Sequence, residues 1–341
     1  MKMKQVRLYG PQDLRIDEVP MPQAGPRDVV VKVAVFGICG SDIGFARNGY
    51  IGRPGPQPMP LGHELAGTVH QVGEAVQGVA VGQRVVVHPM KGSNRIGTGD
   101  PEHGGFAEFL LVRDAVPGES IFPIPDALAF ERAVLTEPVA VGVHGLNLCQ
   151  AGPGDRVVLF GAGPIGLGVV AALRHRGVER IAVVDIIDER LERARQLGAE
   201  RCINPAREDL ATALQTTFGT VPGKLSAQPL VDCSLYIDCA GQSAMLQQAV
   251  AMAKDMARIL VLATHKQPVE LDMVQVMVKE LAIRGSLSYP EEFPEVLAML
   301  GDERLFLGAM HSHSFDFDRF AEAFAMAQDP HQSAKVLVQV S

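Results

Sequence analysis

The sequence contains no run of apolar residues long enough to cross a bilayer, which takes about 18 to 20. Basic residues occur near the start, but no apolar stretch follows them, so we expect neither a membrane span nor export. Long runs of like charge are also missing, and the formal net charge is −8. Because a phosphate backbone requires a basic surface, we predict a small-molecule partner and no bound nucleic acid or membrane.

The chain is also poor in cysteine: five are spread over 341 residues, namely Cys39, Cys149, Cys202, Cys233 and Cys239. Their number is odd, and a chain of this size does not need disulfides to fold. We therefore predict free thiols and a cytoplasmic location. Internal repeats and low-complexity segments are absent too.

What the sequence does contain indicates two domains, because a chain of this length exceeds what one core usually holds. Residues 1–145 are dense in Gly and Pro and carry short Val-rich runs such as DVVVKVAVFG, a pattern typical of a β-rich domain. From about residue 155, short apolar strands alternate with helix-length segments, which predicts an α/β domain with a parallel sheet over 146–290. Two amphipathic helices and a strand, predicted within 291–341, need not belong to that sheet.

A glycine-rich loop follows the first strand of the predicted parallel sheet and opens a helix. Its residues are Gly161, Ala162, Gly163, Pro164, Ile165 and Gly166. Gly161 permits a tight turn, Gly163 lets backbone N–H groups approach a pyrophosphate, and Gly166 lets helix and strand pack closely. The alternative is an ordinary turn in an α/β protein, but the order of strand, loop, helix and strand favours a dinucleotide site.

Asp185 ends the next strand, 19 residues beyond Gly166, which is the spacing expected of an acid that binds the adenine ribose. Its carboxylate would accept hydrogen bonds from both ribose hydroxyls and would repel a 2′-phosphate. Ile186 and Ile187 follow with no adjacent basic residue, so the sequence predicts NAD rather than NADP. We also assign Arg190 to the cofactor site.

Three segments of the first 145 residues carry possible metal ligands. GICGSD contains Cys39, Ser41 and Asp42, PLGHELAGTV contains His63 and Glu64, and Glu137 is an acid within an apolar run. Each alone has an ordinary structural explanation: a buried Cys, a core His, a turn Ser capping a helix. Together, thiolate, imidazole and carboxylate are the ligand types of a catalytic zinc. Their spacing does not show that they converge.

GICGSD, GHELAGTVHQVG, EPVAVGVHG and GAGPIGLG, in this order, resemble the zinc-dependent medium-chain alcohol and polyol dehydrogenases, in particular the sorbitol, L-idonate and butanediol dehydrogenase branch. The resemblance implies a GroES-like β-rich catalytic domain, completed by 291–341, and a doubly wound Rossmann domain. It implies that Cys39 and His63 bind one catalytic zinc, with Glu64 or Glu137 as the third protein ligand. The other acid would contact a zinc-bound water or exchange with the first during turnover. Ser41 would accept a hydrogen bond from the substrate hydroxyl and pass its proton outward.

The chain departs from this family in the segment MKGSNRIGTGDPEHGGFAEF, which has none of the C-x-x-C cysteines that hold a second, structural zinc. We expect that metal to be missing. His88 and His103 are alternative ligands, but we interpret them as solvated surface histidines.

The substrate-facing positions also differ. Gly44 stands where relatives often have a histidine that ends a proton relay, and Phe45 replaces a tyrosine of sorbitol dehydrogenases. Ser288-Tyr289 stands where that branch has an Arg-Tyr pair. The tyrosine hydroxyl and the guanidinium that are lost would hydrogen-bond polyol or carboxylate groups, so a long polyol is predicted less strongly as the substrate than alcohol oxidation is as the activity. Arg47, Asn48 and Arg53 are possible replacements, but we interpret them as a solvated loop.

We therefore predict an NAD-linked zinc oxidoreductase that oxidises a secondary alcohol of a polyol, sugar acid or small diol to a ketone. The alternatives are a zinc-free NADPH quinone reductase and a non-catalytic nucleotide-binding protein. The apolar segment KELAIRGSL predicts a strand at the sheet edge. Because such an edge invites pairing, we expect a homodimer or homotetramer.

Overall fold

The computed structural model describes residues 1–53, 58–226 and 228–340. Contacts divide the chain into two compact units. The catalytic unit consists of Met1–Pro138, Phe293–Gly301 and His311–Ser341, and the nucleotide unit of Val139–Glu292 and Asp302–Met310. The domain boundaries 1–145, 146–290 and 291–341 stay a prediction.

The elements follow one another in this order. The first part of the chain contains β1 (Lys2–Gly10), β2 (Asp13–Pro20), β3 (Val29–Gly37), α1 (Gly40–Asn48), β4 (Met59–Pro60), β5 (Glu64–Val72), β6 (Arg84–Val87), β7 (Phe109–Val112), β8 (Ile121–Pro123), α2 (Phe130–Ala133) and α3 (Thr136–Leu148). The middle contains β9 (Arg156–Phe160), α4 (Pro164–His175), β10 (Arg180–Val184), α5 (Asp188–Gln196), β11 (Arg201–Ile203), α6 (Leu210–Phe218), β12 (Thr220–Val221), β13 (Leu230–Val231), β14 (Leu235–Asp238), α7 (Ser243–Met252), β15 (Arg258–Val261), α8 (Met273–Val278) and β16 (Ala282–Gly285). The last part contains α9 (Phe293–Leu300), β17 (His311–Asp316), α10 (Phe320–Ala327) and β18 (Lys335–Gln339), with short 3-10 helices at Leu307–Met310 and Phe317–Arg319.

The catalytic unit is built around a sheet in the order β17-β18-β3-β5-β6-β8, with β7 also paired to β3. Strand β3 is rich in valine, and its residues Val29, Val31, Val33 and Phe36 enter the core of the unit. The ring of Phe36 there lies 4.8 Å, between centroids, from that of Phe106. The C-terminal strand β18 runs antiparallel to β3 and pairs Leu337 with Gly37. Strand β17, which pairs parallel to β18, was not predicted from the sequence.

The nucleotide unit contains a parallel sheet in the order β11-β10-β9-β14-β15-β16. The chain order therefore reverses between β9 and β14, which makes the carboxyl ends of these two strands the topological switch point of the sheet. Buried Val, Leu and Ile fill the inner strands β10, β9, β14 and β15, because helices cover a parallel sheet on both faces. The predicted fold class, a Rossmann sheet with a GroES-like β-rich unit, is confirmed.

Strand β16 lies at the edge of the parallel sheet, as predicted, and pairs only with β15 in the described sheet. All four of its residues are exposed, and Leu287 just beyond it is 89% exposed.

None of the helices in the described part of the chain combines the length and the apolar character that a membrane crossing needs.

Candidate metal and dinucleotide sites

Helix α1 and its capping residue bring Cys39, Ser41 and Asp42 together at the N-terminus of the helix. Cys39 is the residue that caps the helix, and its backbone N–H donates to Asp42 Oδ2 at 3.0 Å. The other oxygen of this fully buried carboxylate accepts from the backbone N–H of Gly62 at 3.3 Å. Asp42 thus ties the cysteine segment to the loop that carries His63. Ser41 is not the cap but the second residue of the helix.

The His63 segment depends on a glycine. Gly62 has a φ of +90°, which favours glycine, and a Cβ at this position would lie 2.2 Å from the Phe106 ring. The chain therefore turns tightly and delivers His63 directly before β5 begins at Glu64. The side chain of His63 is almost completely buried, with Nδ1 3.5 Å from Asp42 Oδ1. Its Nε2 lies 3.4 Å from Ser41 Oγ and 4.0 Å from Glu137 Oε1.

The ionisation of His63 follows from these neighbours. Burial would lower its pKa, but the Asp42 and Glu137 carboxylates outweigh burial and hold the pKa of His63 well above the usual range. Glu137 lies in the first turn of α3 and is buried as well. A cation-binding environment therefore surrounds this imidazole.

Glu64 is clamped by a lysine from the last strand. Lys335 Nζ lies 2.6 Å from Oε1 and 2.7 Å from Oε2 of Glu64, and it donates to the carbonyl of Ile38 at 3.2 Å. Both side chains are fully buried. Burial would lower the pKa of Lys335, but the Glu64 carboxylate outweighs burial and raises it, so the ammonium group stays charged. Gly37 leaves the space for it, since a Cβ there would lie 2.3 Å from Glu64 Oε2.

These residues fit a zinc ion. The ligand atoms of Cys39, His63 and Glu64 all lie within 4.8 Å of one another. Thiolate, imidazole and carboxylate are the donors of catalytic zinc sites, whose ligand bonds of about 2.0–2.3 Å require ligand atoms this close. The carboxylate of Asp42 beside the second nitrogen of the histidine is the usual partner of a metal-binding imidazole. The structure brings together Cys39, Ser41, His63, Glu64 and Glu137, all predicted from the sequence.

Sequence reasoning missed the parts played by Asp42 and Lys335. A signal for Lys335 existed: it opens the otherwise apolar strand KVLVQ, where a buried charge requires a partner. The same argument singled out Glu137. The signal for Asp42 was weaker, because an acid in the first turn of a helix is common for other reasons.

In the nucleotide unit the glycine loop connects β9 to α4. Gly161 has a φ of +93°, and a Cβ there would lie 2.9 Å from the backbone N of Ala240. A Cβ on Gly166 would lie 2.0 Å from the carbonyl oxygen of Gly161. Pro164 and Ile165 begin α4, whose N-terminal N–H groups face the loop. The predicted loop geometry is therefore present at the carboxyl end of β9.

Asp185 and Arg190 flank this loop. Asp185 Oδ2 accepts from the backbone N–H of Ala162 at 2.7 Å, and Oδ1 accepts from Ile187 at 3.0 Å. Arg190 Nη1 lies 3.9 Å from Asp185 Oδ2. Each carboxylate oxygen retains a further lone pair for a ribose hydroxyl. Ile186, the residue after Asp185, is 69% exposed.

The segment after β6 corrects one interpretation. His88 and His103 are not solvated: His88 is buried, with its ring 4.7 Å from that of Phe293, and burial lowers the pKa of His103. The short loop folds around two buried polar side chains. Asn94 exchanges hydrogen bonds with the backbone of Arg113, and Asp100 accepts from the backbone N–H of His103. Side-chain bonds therefore hold this loop.

The interpretation of Arg47 and Asn48 as part of a solvated loop is wrong in one respect, because both lie in a helix. Gly44, Phe45, Arg47 and Asn48 lie in α1 and not in a loop. Arg47 and Asn48 are exposed, as is Arg53 beyond the helix. Tyr289 is buried, and Ser288 before it has a φ of +65°.

Known proteins share both units. Residues 25–126 match the family described as alcohol dehydrogenase GroES-like domain, and residues 164–302 match the zinc-binding dehydrogenase family. Starvation-sensing protein RspB of Escherichia coli (strain K12) is 33% identical, with 99% of this chain and 100% of RspB covered. Sorbitol dehydrogenase of Rattus norvegicus is 28% identical over 94% of this chain and 91% of its own. The structure of 2R,3R-butanediol dehydrogenase from Bacillus subtilis superposes with a TM-score of 0.86 at 28% identity, covering 99% of both chains.

These matches span nearly the whole chain, and the two family matches fall on the unit with the Cys39, His63 and Glu64 cluster and on the unit with the glycine loop. The five cysteines are all free, as predicted. The chain therefore belongs to the zinc-dependent medium-chain dehydrogenase family and is an alcohol or polyol dehydrogenase of that family.

Proposed function

We propose that this protein oxidises a secondary hydroxyl of a small polyol, sugar acid or diol to a ketone, with one catalytic zinc per chain and NAD as the hydride acceptor. The observation that carries the proposal is the cluster of Cys39, His63 and Glu64 with Ser41 beside it. The names of the sorbitol and butanediol dehydrogenase relatives support the substrate class.

In this proposal Cys39 and His63 bind the metal, and Glu64 or Glu137 supplies the third protein ligand. A zinc ion held there would make a bound hydroxyl more acidic, and NAD would accept the hydride. Ser41 Oγ, next to His63 Nε2, accepts the hydrogen bond from the substrate hydroxyl and passes its proton outward. Asp42 orients His63 so that Nε2 faces Ser41 and Glu137.

The cofactor proposal rests on Asp185. Its carboxylate stands at the carboxyl end of β10, where the adenine ribose binds in this fold, and it repels a 2′-phosphate. Gly161, Gly163, Pro164, Ile165 and Gly166 hold the pyrophosphate. Arg190, close to Asp185, completes the assigned cofactor residues.

The two alternatives lack such support. A zinc-free quinone reductase with NADPH has no use for Cys39 and His63 clustered with their carboxylates, and Asp185 opposes NADPH. A non-catalytic nucleotide-binding protein does not require Ser41 beside a metal cluster. We therefore favour the zinc enzyme.

The assembly and location complete the proposal. The exposed edge strand β16 supports a homodimer, or a homotetramer of two such dimers. The five free thiols support a cytoplasmic, reducing location.

A screen of C3–C6 polyols, aldonates and short diols with NAD, together with elemental analysis, tests the proposal. We expect about one zinc per chain and NADH formation with at least one substrate class. A zinc-free protein that is active, or a zinc-loaded protein that reduces quinones but oxidises no alcohol in the screen, would overturn it. Comparing the zinc affinity of Glu64→Gln with that of Glu137→Gln identifies the third ligand. The variant that lacks the ligand should bind zinc more weakly than the other variant.

A further inference from the structure

Asp238 connects two loops at the carboxyl edge of the parallel sheet. It ends β14, directly beside β9 at the switch point. Its carbonyl accepts from the backbone N–H groups of Leu262 and Ala263 at 2.9 and 3.0 Å. Its Oδ1 accepts from those of Ala240 and Gly241 at 3.0 and 2.9 Å. One buried residue thus fixes the loop after β14 and the loop after β15 against each other.

The remaining oxygen of Asp238 orients a histidine from the second loop. His265 Nε2 lies 2.6 Å from Asp238 Oδ2, and the carboxylate is completely buried. An ionised carboxylate only accepts hydrogen bonds, so Nε2 carries the proton. The other ring nitrogen, Nδ1, is buried and has no hydrogen-bond partner among the described residues. A buried polar atom left without a partner is unfavourable, which points to a partner that binds from outside the chain.

The position of this pair indicates what that partner is. Gly161 of the glycine loop lies against the backbone of Cys239 and Ala240, the two residues that follow Asp238. In a doubly wound sheet the two halves of a dinucleotide lie on opposite sides of the switch point. Asp185, at the end of β10, lies on the adenosine side of β9. Asp238 and His265 lie on the other side, at the ends of β14 and β15.

We propose that His265, oriented by Asp238, is a cofactor-binding residue whose Nδ1 accepts a hydrogen bond from the nicotinamide half of the dinucleotide. The donor is an amide or hydroxyl group, because an imidazole whose Nε2–H donates to Asp238 offers its lone pair at Nδ1. This inference rests on the proposed function, since it assumes a nicotinamide dinucleotide in the site.

Titration calorimetry with NADH and with AMP tests the assignment without any turnover. His265→Gln keeps an amide N–H for Asp238 but places no polar atom at Nδ1. We expect the Kd for NADH to rise about fivefold to tenfold, as the loss of one hydrogen bond predicts, and the Kd for AMP to stay within about twofold. Asp185→Ala should weaken the binding of both ligands, because both contain the adenine ribose.

His175→Gln is the matched control. His175 Nδ1 pairs with Asp302 Oδ2 at 2.9 Å in the same unit, but it ends α4, about 16 Å along the helix axis from the cofactor loop. We expect unchanged binding of both ligands. An NADH Kd within about twofold of wild type in His265→Gln, or equal weakening of NADH and AMP, would overturn the inference alone. A wild-type protein that binds no nicotinamide dinucleotide overturns the proposed function as well.

Discussion

Lys335 and Glu64 form an ion pair that is sealed from solvent, with Nζ 2.6 and 2.7 Å from the two carboxylate oxygens. Lys335→Met leaves the Glu64 charge buried without its partner. We expect the free energy of unfolding of the zinc-free protein to fall by about 3–5 kcal/mol, measured by urea denaturation. Lys2→Met is the control, because its pair with Glu18 is exposed and should contribute less than about 1 kcal/mol.

The double variant Glu64→Gln with Lys335→Met separates charge from packing. Removing both charges should recover part of the loss seen in Lys335→Met. A single Lys335→Met variant as stable as wild type would show that the pair is not needed for folding.

Cys39→Ser and His63→Ala should abolish alcohol oxidation and lower the zinc content well below one per chain. NADH binding should stay within about twofold of wild type, because the proposed cofactor residues belong to the other unit. Elemental analysis and calorimetry measure the two effects. Near-normal turnover by either variant would contradict the zinc mechanism, and two tightly held zinc ions in the wild type would contradict the single site.

Cofactor preference should follow Asp185 and its exposed neighbour. The double variant Asp185→Ser with Ile186→Arg removes the repulsion of a 2′-phosphate and adds a cation for it, and it releases Arg190 from Asp185. We expect the ratio of kcat/KM for NAD over NADP to fall at least tenfold. Wild-type enzyme that turned over faster with NADP at equal concentration would refute the role of Asp185.

The exposed strand β16 should pair with the same strand of a second copy. Light scattering at micromolar concentration should give at least twice the 36.5 kDa of one chain. Ile283→Lys, at a position 39% exposed on this edge, should shift the mass towards the monomer. Ile16→Lys, equally exposed but in the catalytic unit, is the control. A monomeric wild type would rule out edge pairing.

The thiols should differ sharply in reactivity. Burial raises the pKa of Cys233 to about 12, so at pH 8 only about one part in ten thousand is the reactive thiolate. Burial also raises the pKa of Cys239. We expect iodoacetamide at pH 8 to alkylate half-exposed Cys39 first in zinc-free protein and to spare Cys233 until urea is added. Mass spectrometry of peptides measures which cysteines are labelled. Labelling of Cys233 before urea is added would contradict its burial.

Local patterns were sufficient to predict much of this molecule. The glycine loop and Asp185 are close in sequence, and their roles follow from one strand, one turn and one helix. Cys39, His63 and Glu137 were recognised as ligand types, but their convergence was not visible, because it depends on β5, α1 and α3 meeting in three dimensions.

Where the sequence misled, tertiary contacts decided. His88 lies in a Gly-rich stretch that suggests solvent exposure, yet Phe293, some 200 positions later, covers its ring. The sequence did not identify Glu64 as the partner of Lys335, because the two residues meet only through the pairing of β18 with β3. Pairings across such distances leave no periodic signal in the chain.

The origin of Lys335 in the last strand has a consequence for how the protein is made. Its partner Glu64 lies 271 positions earlier, so almost the whole chain must leave the ribosome before the carboxylate meets its counter-charge. Until then the nascent catalytic unit holds an uncompensated acid and an open sheet edge at β3. A chain cut short before β18 would therefore be exposed to proteases and aggregation although every predicted metal ligand had already been synthesised.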